Sequence, residues 1–324
     1  MTHPSQPRVG LINQLLDRTV IPGMLTFSRP GYVVRQWFSA PIRERLEGRR
    51  VVLTGATSGL GLASAHALAA LGADLLLVGR DQVKLDATAD EIARDQSVDR
   101  PETECADLAL MAEVRELAKR LTARPEPIHV LINNAGALFG ERAETAEGHE
   151  RSLAINLMSP YLLTTLLRPK LIESAPSRVI NVSSGGMYTQ RIRVNDLGSE
   201  RGEYRGAAAY AMAKRGQVIL TERWAEELAD DNVVVHAMHP GWADTPGVRS
   251  SLPDFYKKTK AILRTSEEGA DTIVWLAAAK KAAETTGGFW LDRQPHLTHV
   301  LSKTRETAAE REQLVEELQA LCGV

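Results

Sequence analysis

The chain has 324 residues, of which 44% are hydrophobic and 25% are charged, enough for one large globular domain or two small ones. The net charge of -2 gives no reason to expect a nucleic-acid partner. The two cysteines, Cys105 and Cys322, match no metal or redox spacing, which excludes a disulfide framework and predicts a reducing, cytoplasmic location. No apolar run reaches the ~18 residues of a membrane span, and no signal-peptide pattern opens the chain.

The N-terminal segment differs from the rest of the chain in charge. Residues 1–50 contain eight arginines against three acidic residues, a net charge of +5. Its apolar residues fall into two groups, Leu11, Ile12, Leu15 and Leu16, and then Val33, Val34, Trp37 and Phe38. We predict that residues 1–48 form a basic amphipathic arm of short helices. Two interpretations stand: the arm packs on the main domain, or it contacts anionic lipid as a peripheral membrane element.

From Arg49 onwards, short apolar runs alternate with helical segments. The predicted strands are RRVVLTG, DLLLVGR, ETECAD, IHVLINNAG, RVINVSS, VVVHAMHPG and GGFWLD. The predicted helices are LGLASAHALAALGA and residues 81–95, 108–123, 147–173, 207–230 and 267–279, with an irregular region before 265. This alternation predicts an α/β fold, a doubly wound (Rossmann-type) parallel sheet of about seven strands over residues 49–300. Residues 301–324 are predicted to form a C-terminal helix on its surface. Because the first strand starts only near Val51, we expect the main domain to fold without the arm.

The motif TGATSGLG lies between the first strand and the first helix of this series. In such a position, glycines permit a tight turn and let the backbone approach a dinucleotide pyrophosphate, while the helix N-terminus supplies N–H donors. The motif therefore assigns six residues to cofactor binding: Gly55, Thr57, Ser58, Gly59, Leu60 and Gly61.

Two tyrosine–lysine pairs have a spacing of four residues, which places both groups on one helical face. One is Tyr210 and Lys214, surrounded by small residues; the other is Tyr256 and Lys260. The spacing alone does not choose between them.

A series of motifs resembles those of the short-chain dehydrogenase/reductase family and follows the family's order. They are T-G-x-x-x-G-x-G at 54–61, N-N-A-G at 133–136, Asn156, N-V-S-S at 181–184, Y-x-x-x-K at 210–214 and P-G-x-x-x-T at 240–245. The match covers residues 50 to about 295 and selects Tyr210, because Tyr256 has no serine-bearing strand before it. Further segments, including HPGWADTPGVR and EEGADT, resemble the branch named after dehydrogenase/reductase family member 12.

The resemblance implies hydride transfer between a nicotinamide and an alcohol or carbonyl group, with Asn156, Ser184, Tyr210 and Lys214 as catalytic residues. Tyr210 would exchange a proton with the substrate oxygen, since a nearby ammonium at Lys214 stabilises a phenolate. Ser184 would hydrogen-bond the same oxygen, and Ser183 is the close alternative. Asn156 would bend its helix around a water and link Lys214 to solvent. In many members of the family the helices around Asn156 and Tyr210 form dimer faces, so a homo-oligomer is one expectation.

The cofactor is predicted to be NADP(H). Arg80 ends the second strand, where an acidic residue would favour NAD and a guanidinium suits a 2′-phosphate. Asp81 is interpreted as a helix cap. The further contacts implied by the resemblance are Asp107, Leu108, Asn133, Ala135, Gly136, Tyr210, Lys214, Pro240, Gly241 and Thr245. No metal site is expected, because the eight histidines form no ligand-like pattern in the sequence.

The substrate is predicted to be a bulky lipophilic alcohol or carbonyl compound. The apolar residues in regions that border the substrate in this family are Met187, Tyr188, Trp242, Leu252, Phe255, Tyr256, Ile262 and Leu263. The polar segment 189–206 is expected to form a loop over the mouth of the site. The alternative function is a non-catalytic protein on the same fold that senses a dinucleotide or binds a membrane surface.

Overall fold

The structure is a computed structural model that describes residues 4–18 and 25–324. The strands are β1 (Arg50–Thr54), β2 (Asp74–Gly79), β3 (Glu102–Cys105), β4 (Val130–Asn133), β5 (Ser177–Val182), β6 (Val233–Met238), β7 (Phe289–Leu291) and β8 (Gln294–His296). The first helices are α1 (Leu11–Arg18), α2 (Arg29–Gln36), α3 (Gly59–Ala70), α4 (Gln82–Gln96), α5 (Met111–Ala123) and α6 (Arg151–Leu153). The later helices are α7 (Ser159–Glu173), α8 (Gly206–Glu227), α9 (Pro246–Ser251), α10 (Pro253–Thr259), α11 (Ser266–Ala278) and α12 (Ala308–Cys322). Short 3₁₀ turns cover Gly185–Thr189, Val194–Asp196, Ala229–Asp231, Lys260–Ile262, Lys280–Glu284 and Ser302–Thr304.

The strands form one sheet in the order β3-β2-β1-β4-β5-β6-β7-β8. All pairs are parallel except β7 with β8, which is antiparallel. The predicted doubly wound α/β fold is thereby confirmed, with one strand more than expected. The eighth strand was missed because its sequence, Gln-Pro-His, has no apolar run. Asp292 and Arg293 form the two-residue turn before it, both with positive φ, in place of the usual Asn-Gly signal.

Helices cover both faces of the sheet and divide the core into two layers. One layer buries residues of α3, α4 and α11, and the other buries residues of α5, α7 and α8. Helix α12 joins the second layer through Leu314 and Leu318, which are fully buried. The prediction of a helix lying on the surface is therefore only half right, since one of its faces completes the core.

Two expectations about connecting segments are corrected. Of segment 189–206, only Thr189 lines the cavity of the site, and its apolar residues Ile192, Val194 and Leu197 are buried in the core layer shared with α12. Its Arg191 forms a bidentate ion pair with Glu310 of α12. The region before 265 is not irregular, because α9 and α10 occupy much of it. Both begin with proline, which breaks a helix interior but is favourable in a first turn.

The described part of the arm is attached along the β7–β8 hairpin by polar contacts. In α1, Asn13 donates to the carbonyl of Pro295, and the Asp17 carboxylate bonds the ring of His296 at 2.6 Å. In α2, the Arg35 guanidinium lies 2.7 Å from the Asp292 carboxylate in the hairpin turn. Among the residues that the structure describes, no helix is both long and apolar enough to cross a membrane.

Candidate active site

A cavity of 890 Å³ opens at the carboxyl edge of the parallel strands, where doubly wound folds bind their ligands. The residues that directly follow the strand ends contribute to its wall: Gly55 after β1, Arg80 after β2, Asn134 after β4, Ser183 after β5 and His239 after β6. The topology therefore gathers residues from five separate motifs of the sequence at one site.

The glycine-rich turn has the geometry of a phosphate cradle. A Cβ on Gly61 would lie 2.0 Å from the Gly55 carbonyl oxygen, and Gly55 itself has a φ of +66°. Asn134 holds this turn by donating to the carbonyls of Thr54 and Gly55, at 2.8 and 3.2 Å. The first N–H groups of α3 have no intrahelical acceptor, and the Ser58 side chain does not cap them. These donors fit an anionic pyrophosphate at the start of the helix.

The adenosine end of the cavity contains an exposed cation. Arg80 lines the cavity, and within residues 4–18 and 25–324 no carboxylate pairs with its guanidinium. Asp81 caps α4 instead, as expected from the sequence, by accepting from the Lys84 amide at 3.1 Å. Asp107 and Leu108 complete this wall after β3.

Tyr210, Lys214 and Ser184 meet at the other end of the cradle. Burial raises the pKa of Tyr210 to about 12, against the opposing effect of the neighbouring Ser184 hydroxyl. The Lys214 Nζ lies 5.6 Å from the centre of the Tyr210 ring. It donates to the Val182 carbonyl at 2.8 Å and to Gln217 at 3.2 Å, while burial lowers the pKa of Lys214 to about 7.

The two candidate serines differ in their bonding. Ser183 is buried and donates to the backbone carbonyl of Lys214 at 2.9 Å, so its hydroxyl fixes α8 to β5. Ser184 is half-buried in the cavity wall beside Tyr210, and its oxygen accepts from the Gly186 amide at 3.1 Å. The geometry thus favours Ser184 as the residue that faces a ligand.

Asn156 lies behind Lys214, at the centre of a π-helical turn, Ala154–Met158, between α6 and α7. Its side chain is fully buried, donates to the carbonyls of Ala137 and Ser152, and accepts from the Ala137 amide. A Cβ on Gly136 would lie 2.7 Å from the Asn156 side-chain oxygen and 3.2 Å from the Lys214 Nζ. Glycine at 136 therefore allows both groups to approach the cavity wall.

Most residues that the sequence assigns to cofactor binding line the cavity. They are Gly55, Thr57, Ser58, Gly59, Leu60, Gly61, Arg80, Asp107, Leu108, Ala135, Gly136, Tyr210, Lys214, Pro240, Gly241 and Thr245. Asn133 does not line it: its side chain is buried and donates to Thr164 and to Asn181 of the neighbouring strand. Asn133 is the last residue of β4, and its side chain points into the core, whereas the side chain of the next residue, Asn134, points to the cavity.

The substrate end of the cavity is apolar and includes a residue of the arm. Phe27 lies there with its ring 4.7 Å from His239 and 6.2 Å from Trp242, and Leu252 and Phe255 lie opposite. Of the other apolar residues expected there, Met187, Tyr188 and Leu263 are buried in the protein, and neither Tyr256 nor Ile262 lines the cavity. The sequence analysis missed Phe27, which lies in no motif, and His239, which directly precedes Pro240 of the P-G-x-x-x-T motif.

The rival Tyr256 lies in α10, where Arg249 stacks over its ring at 5.7 Å. A separate cluster was also missed: ligand atoms of His66, Glu91 and Asp95 come within 4.8 Å of one another on α3 and α4, away from the cavity. Within this cluster, His66 and Glu91 are joined by a hydrogen bond of 3.1 Å.

The chain belongs to the short-chain dehydrogenase/reductase family, because the family model described as short chain dehydrogenase matches residues 49–254. It is therefore an oxidoreductase on a fold that binds a nicotinamide dinucleotide, and its substrate is a small molecule.

Within that family, the chain is similar to dehydrogenase/reductase SDR family member 12 of Bos taurus. The two are 38% identical over 303 residues, which cover 92% of this chain and 95% of the relative. It is 32% identical to retinol dehydrogenase 12 of Bos taurus, over 89% of this chain and 94% of that one. Among solved structures, the Pseudomonas aeruginosa RhlG/NADP active-site complex is 26% identical with a TM-score of 0.63, covering 77% of this chain and 96% of that chain.

Proposed function

We propose that this protein is an NADP(H)-dependent oxidoreductase that interconverts an alcohol and a carbonyl group on a bulky lipophilic substrate. The observation that carries the proposal is the position of Tyr210, with Ser184 and Lys214 in the same cavity wall, between a phosphate cradle and an apolar surface. A bound nicotinamide supplies or accepts the hydride. The chain itself has to hold the substrate oxygen, deliver or remove one proton, and keep water away.

Tyr210 is the residue that exchanges the proton. With a pKa of about 12, its phenol is protonated at neutral pH, so in the reductive direction it donates that proton to the substrate oxygen. Ser184 donates a second hydrogen bond to the same oxygen and so orients the carbonyl. In the oxidative direction the proton returns to Tyr210, and charge on Lys214 stabilises the phenolate.

Lys214 and Asn156 support this exchange from behind. The Lys214 ammonium is held by Val182 and Gln217 and lies beside Gly136, where the ribose next to the nicotinamide would bind. Asn156 is a positioning residue, because all of its side-chain bonds go to protein backbone at Ala137 and Ser152. The π turn places these bonds where a regular helix would not.

Arg80 is the residue that selects NADP(H) over NAD(H). Its guanidinium lines the cavity at the end of β2, where a 2′-phosphate of the adenosine would lie. The neighbouring carboxylate, Asp81, is already engaged with the Lys84 amide and is poorly placed to accept from a free ribose hydroxyl. The similar Pseudomonas aeruginosa RhlG/NADP active-site complex supports the same choice.

The substrate is lipophilic, because Phe27, Trp242, Leu252 and Phe255 supply large apolar surfaces to one end of the cavity. A relative is named a retinol dehydrogenase, and retinol is an alcohol of this kind. Residues 49–300 act as the oxidoreductase unit, and Phe27 of the arm lines its substrate end. Both cysteines are free, Cys105 exposed and Cys322 buried, which supports a cytoplasmic location.

The experiment that tests the proposal is NADPH consumption by the full-length chain over a panel of lipophilic aldehydes and ketones, with retinal among them. We expect turnover with at least one bulky carbonyl and a higher kcat/KM than for short-chain analogues. A protein that binds NADPH tightly but turns over no member of the panel would contradict catalysis and favour dinucleotide sensing.

A further inference from the structure

The exposed apolar surface of this protein is concentrated in the arm. Among the described residues, eight of the twelve exposed large apolar side chains lie between positions 11 and 38, and the other four are scattered. The eight are Leu11, Ile12, Leu15, Leu25, Val33, Val34, Trp37 and Phe38. Single exposed apolar residues are normal, whereas a group of this size marks an interaction site.

Helix α1 is amphipathic, but its polar side faces the protein and its apolar side faces outward. Its polar residues Asn13 and Asp17 face the protein and bond Pro295, His296 and the Leu297 amide. Its apolar residues face outward, with Leu11 83% and Ile12 76% exposed. A surface helix of a globular protein normally buries its apolar side, so this orientation leaves the hydrophobic face for something outside the chain.

Helix α2 and the residues after it repeat this arrangement. Arg35 and Gln36 face inward and bond Asp292 and Asp271, whereas Trp37 and Phe38 are 77% and 86% exposed. Helix α1 is attached to β8, and helix α2 to the turn between β7 and β8 and to α11, so both lie beside the β7–β8 hairpin. We define the arm face as the exposed side chains of Leu11, Ile12, Val33, Val34, Trp37 and Phe38.

The arm face is held in place by a buried ion-pair network. Arg264 is fully buried, pairs with both oxygens of Asp292, and donates to the carbonyls of Thr26 and Phe27. Arg35 contacts the same Asp292 carboxylate. These bonds fix the backbone just before α2 and the last turn of α2. The outward orientation of the apolar residues therefore follows from specific bonding of the polar ones.

We propose that the arm face binds the surface of a membrane that contains anionic lipid. The first 50 residues carry +5, and the whole chain carries -2, so the remaining residues carry -7. Arg8, just before α1, is exposed and accompanies the apolar groups, and anionic headgroups and acyl chains together attract this combination of groups. Exposed tryptophan is also typical of the membrane interface.

A second copy of the chain fits this face less well. In a symmetric dimer the same patch meets itself, so the exposed Arg8 of one copy would be brought towards that of the other. The position of the face favours lipid for a further reason: Phe27, in the same arm, lines the substrate end of the cavity. Docking would place the substrate end of the cavity beside the lipid in which a lipophilic molecule is dissolved. This consequence rests on the proposed function, whereas the docking itself does not.

Vesicle flotation of the full-length chain tests the proposal. The probes are vesicles of phosphatidylcholine alone and vesicles in which about one-third is phosphatidylserine. We expect binding to the anionic vesicles that weakens at about 0.5 M salt. The variants Leu11→Ser/Ile12→Ser and Trp37→Ser/Phe38→Ser should each reduce partitioning by about tenfold or more, since each removes two large apolar groups.

Val83→Ser is the matched control, because Val83 is 79% exposed on α4, at the opposite edge of the sheet, and should leave binding unchanged. Thermal unfolding and NADPH binding should be like those of the parent in all variants, because the replaced side chains are exposed. The proposal is overturned if the parent does not float with anionic vesicles, or if the arm variants float as the parent does. A dimer in light scattering that the arm variants dissociate, without vesicle binding, would assign the face to a second copy instead.

Discussion

Replacing Tyr210 by Phe removes one oxygen from the site and leaves the ring. The Ser184 oxygen keeps its bond from the Gly186 amide, so no buried acceptor is left without a donor. We therefore expect the free energy of unfolding to change by no more than about 0.5–1.5 kcal/mol, the net value of one hydrogen bond. Binding of NADPH should be retained, because the cradle residues are untouched.

Turnover, in contrast, should fall by about 10²–10⁴-fold, the usual contribution of a positioned proton donor. The assay is steady-state NADPH consumption with one working carbonyl substrate. Tyr256→Phe is the matched control: it also removes one hydroxyl four residues from a lysine, and the contact of its ring with Arg249 remains. Its kcat should equal that of the parent. A Tyr210→Phe enzyme within a few fold of the parent kcat would refute the mechanism, and an inactive Tyr256→Phe enzyme would show that the other pair carries the chemistry.

Three further outcomes are expected. Arg80→Asp should reverse the preference for NADPH over NADH in fluorescence titrations, because it replaces a partner of the 2′-phosphate by a like charge; equal affinities in the parent would contradict this. The pKa of Lys214 is about 7 in the folded protein, below its value in the unfolded chain. Between pH 7 and about 10 the unfolded chain therefore binds more protons than the folded protein does. The free energy of unfolding of the parent rises with pH over that range as a result. The stability of Lys214→Met relative to the parent should then fall by about 1.4 kcal/mol per pH unit in denaturant titrations, and a constant difference would refute the shift. Arg264→Met should cost about 3–5 kcal/mol, because it leaves the buried Asp292 without its closest partner, whereas Arg249→Met at an exposed pair should cost less than about 1 kcal/mol.

The sequence predicts the sheet and the cradle well because both depend on local signals. Apolar runs mark each buried strand, and Gly55 and Gly61 lie where a tight turn and a close approach require them. Asn133 shows the limit of a motif: it is adjacent to the cavity in sequence, but the alternation of side chains along β4 turns it into the core. Its neighbour Asn134, inside the same motif, is the residue that holds the glycine turn.

The arm could not be placed from its sequence because its contacts are to backbone and to distant charges. Nothing near Phe27 indicates that its carbonyl accepts from the Trp242 amide and from Arg264. Nor does the pattern of α1 reveal that its polar side faces inward. That the main domain folds without the arm stays a prediction, and removal of Thr26 and Phe27 would take away two acceptors of the buried Arg264.

The π turn at Ala154–Met158 has a consequence for how this protein can change over evolution. A π turn holds one residue more than the corresponding α turn. Deleting one residue of it would restore α-helical bonding and leave the orientation of α7 relative to α6 nearly unchanged, because the wider turn absorbs the extra residue. Buried Leu153 and Leu162 would then keep their places in the core, whereas the Asn156 side chain would lose the position from which it bonds Ala137 and Ser152. A deletion of one residue at this turn should therefore disturb the site before it disturbs the packing of the two helical segments.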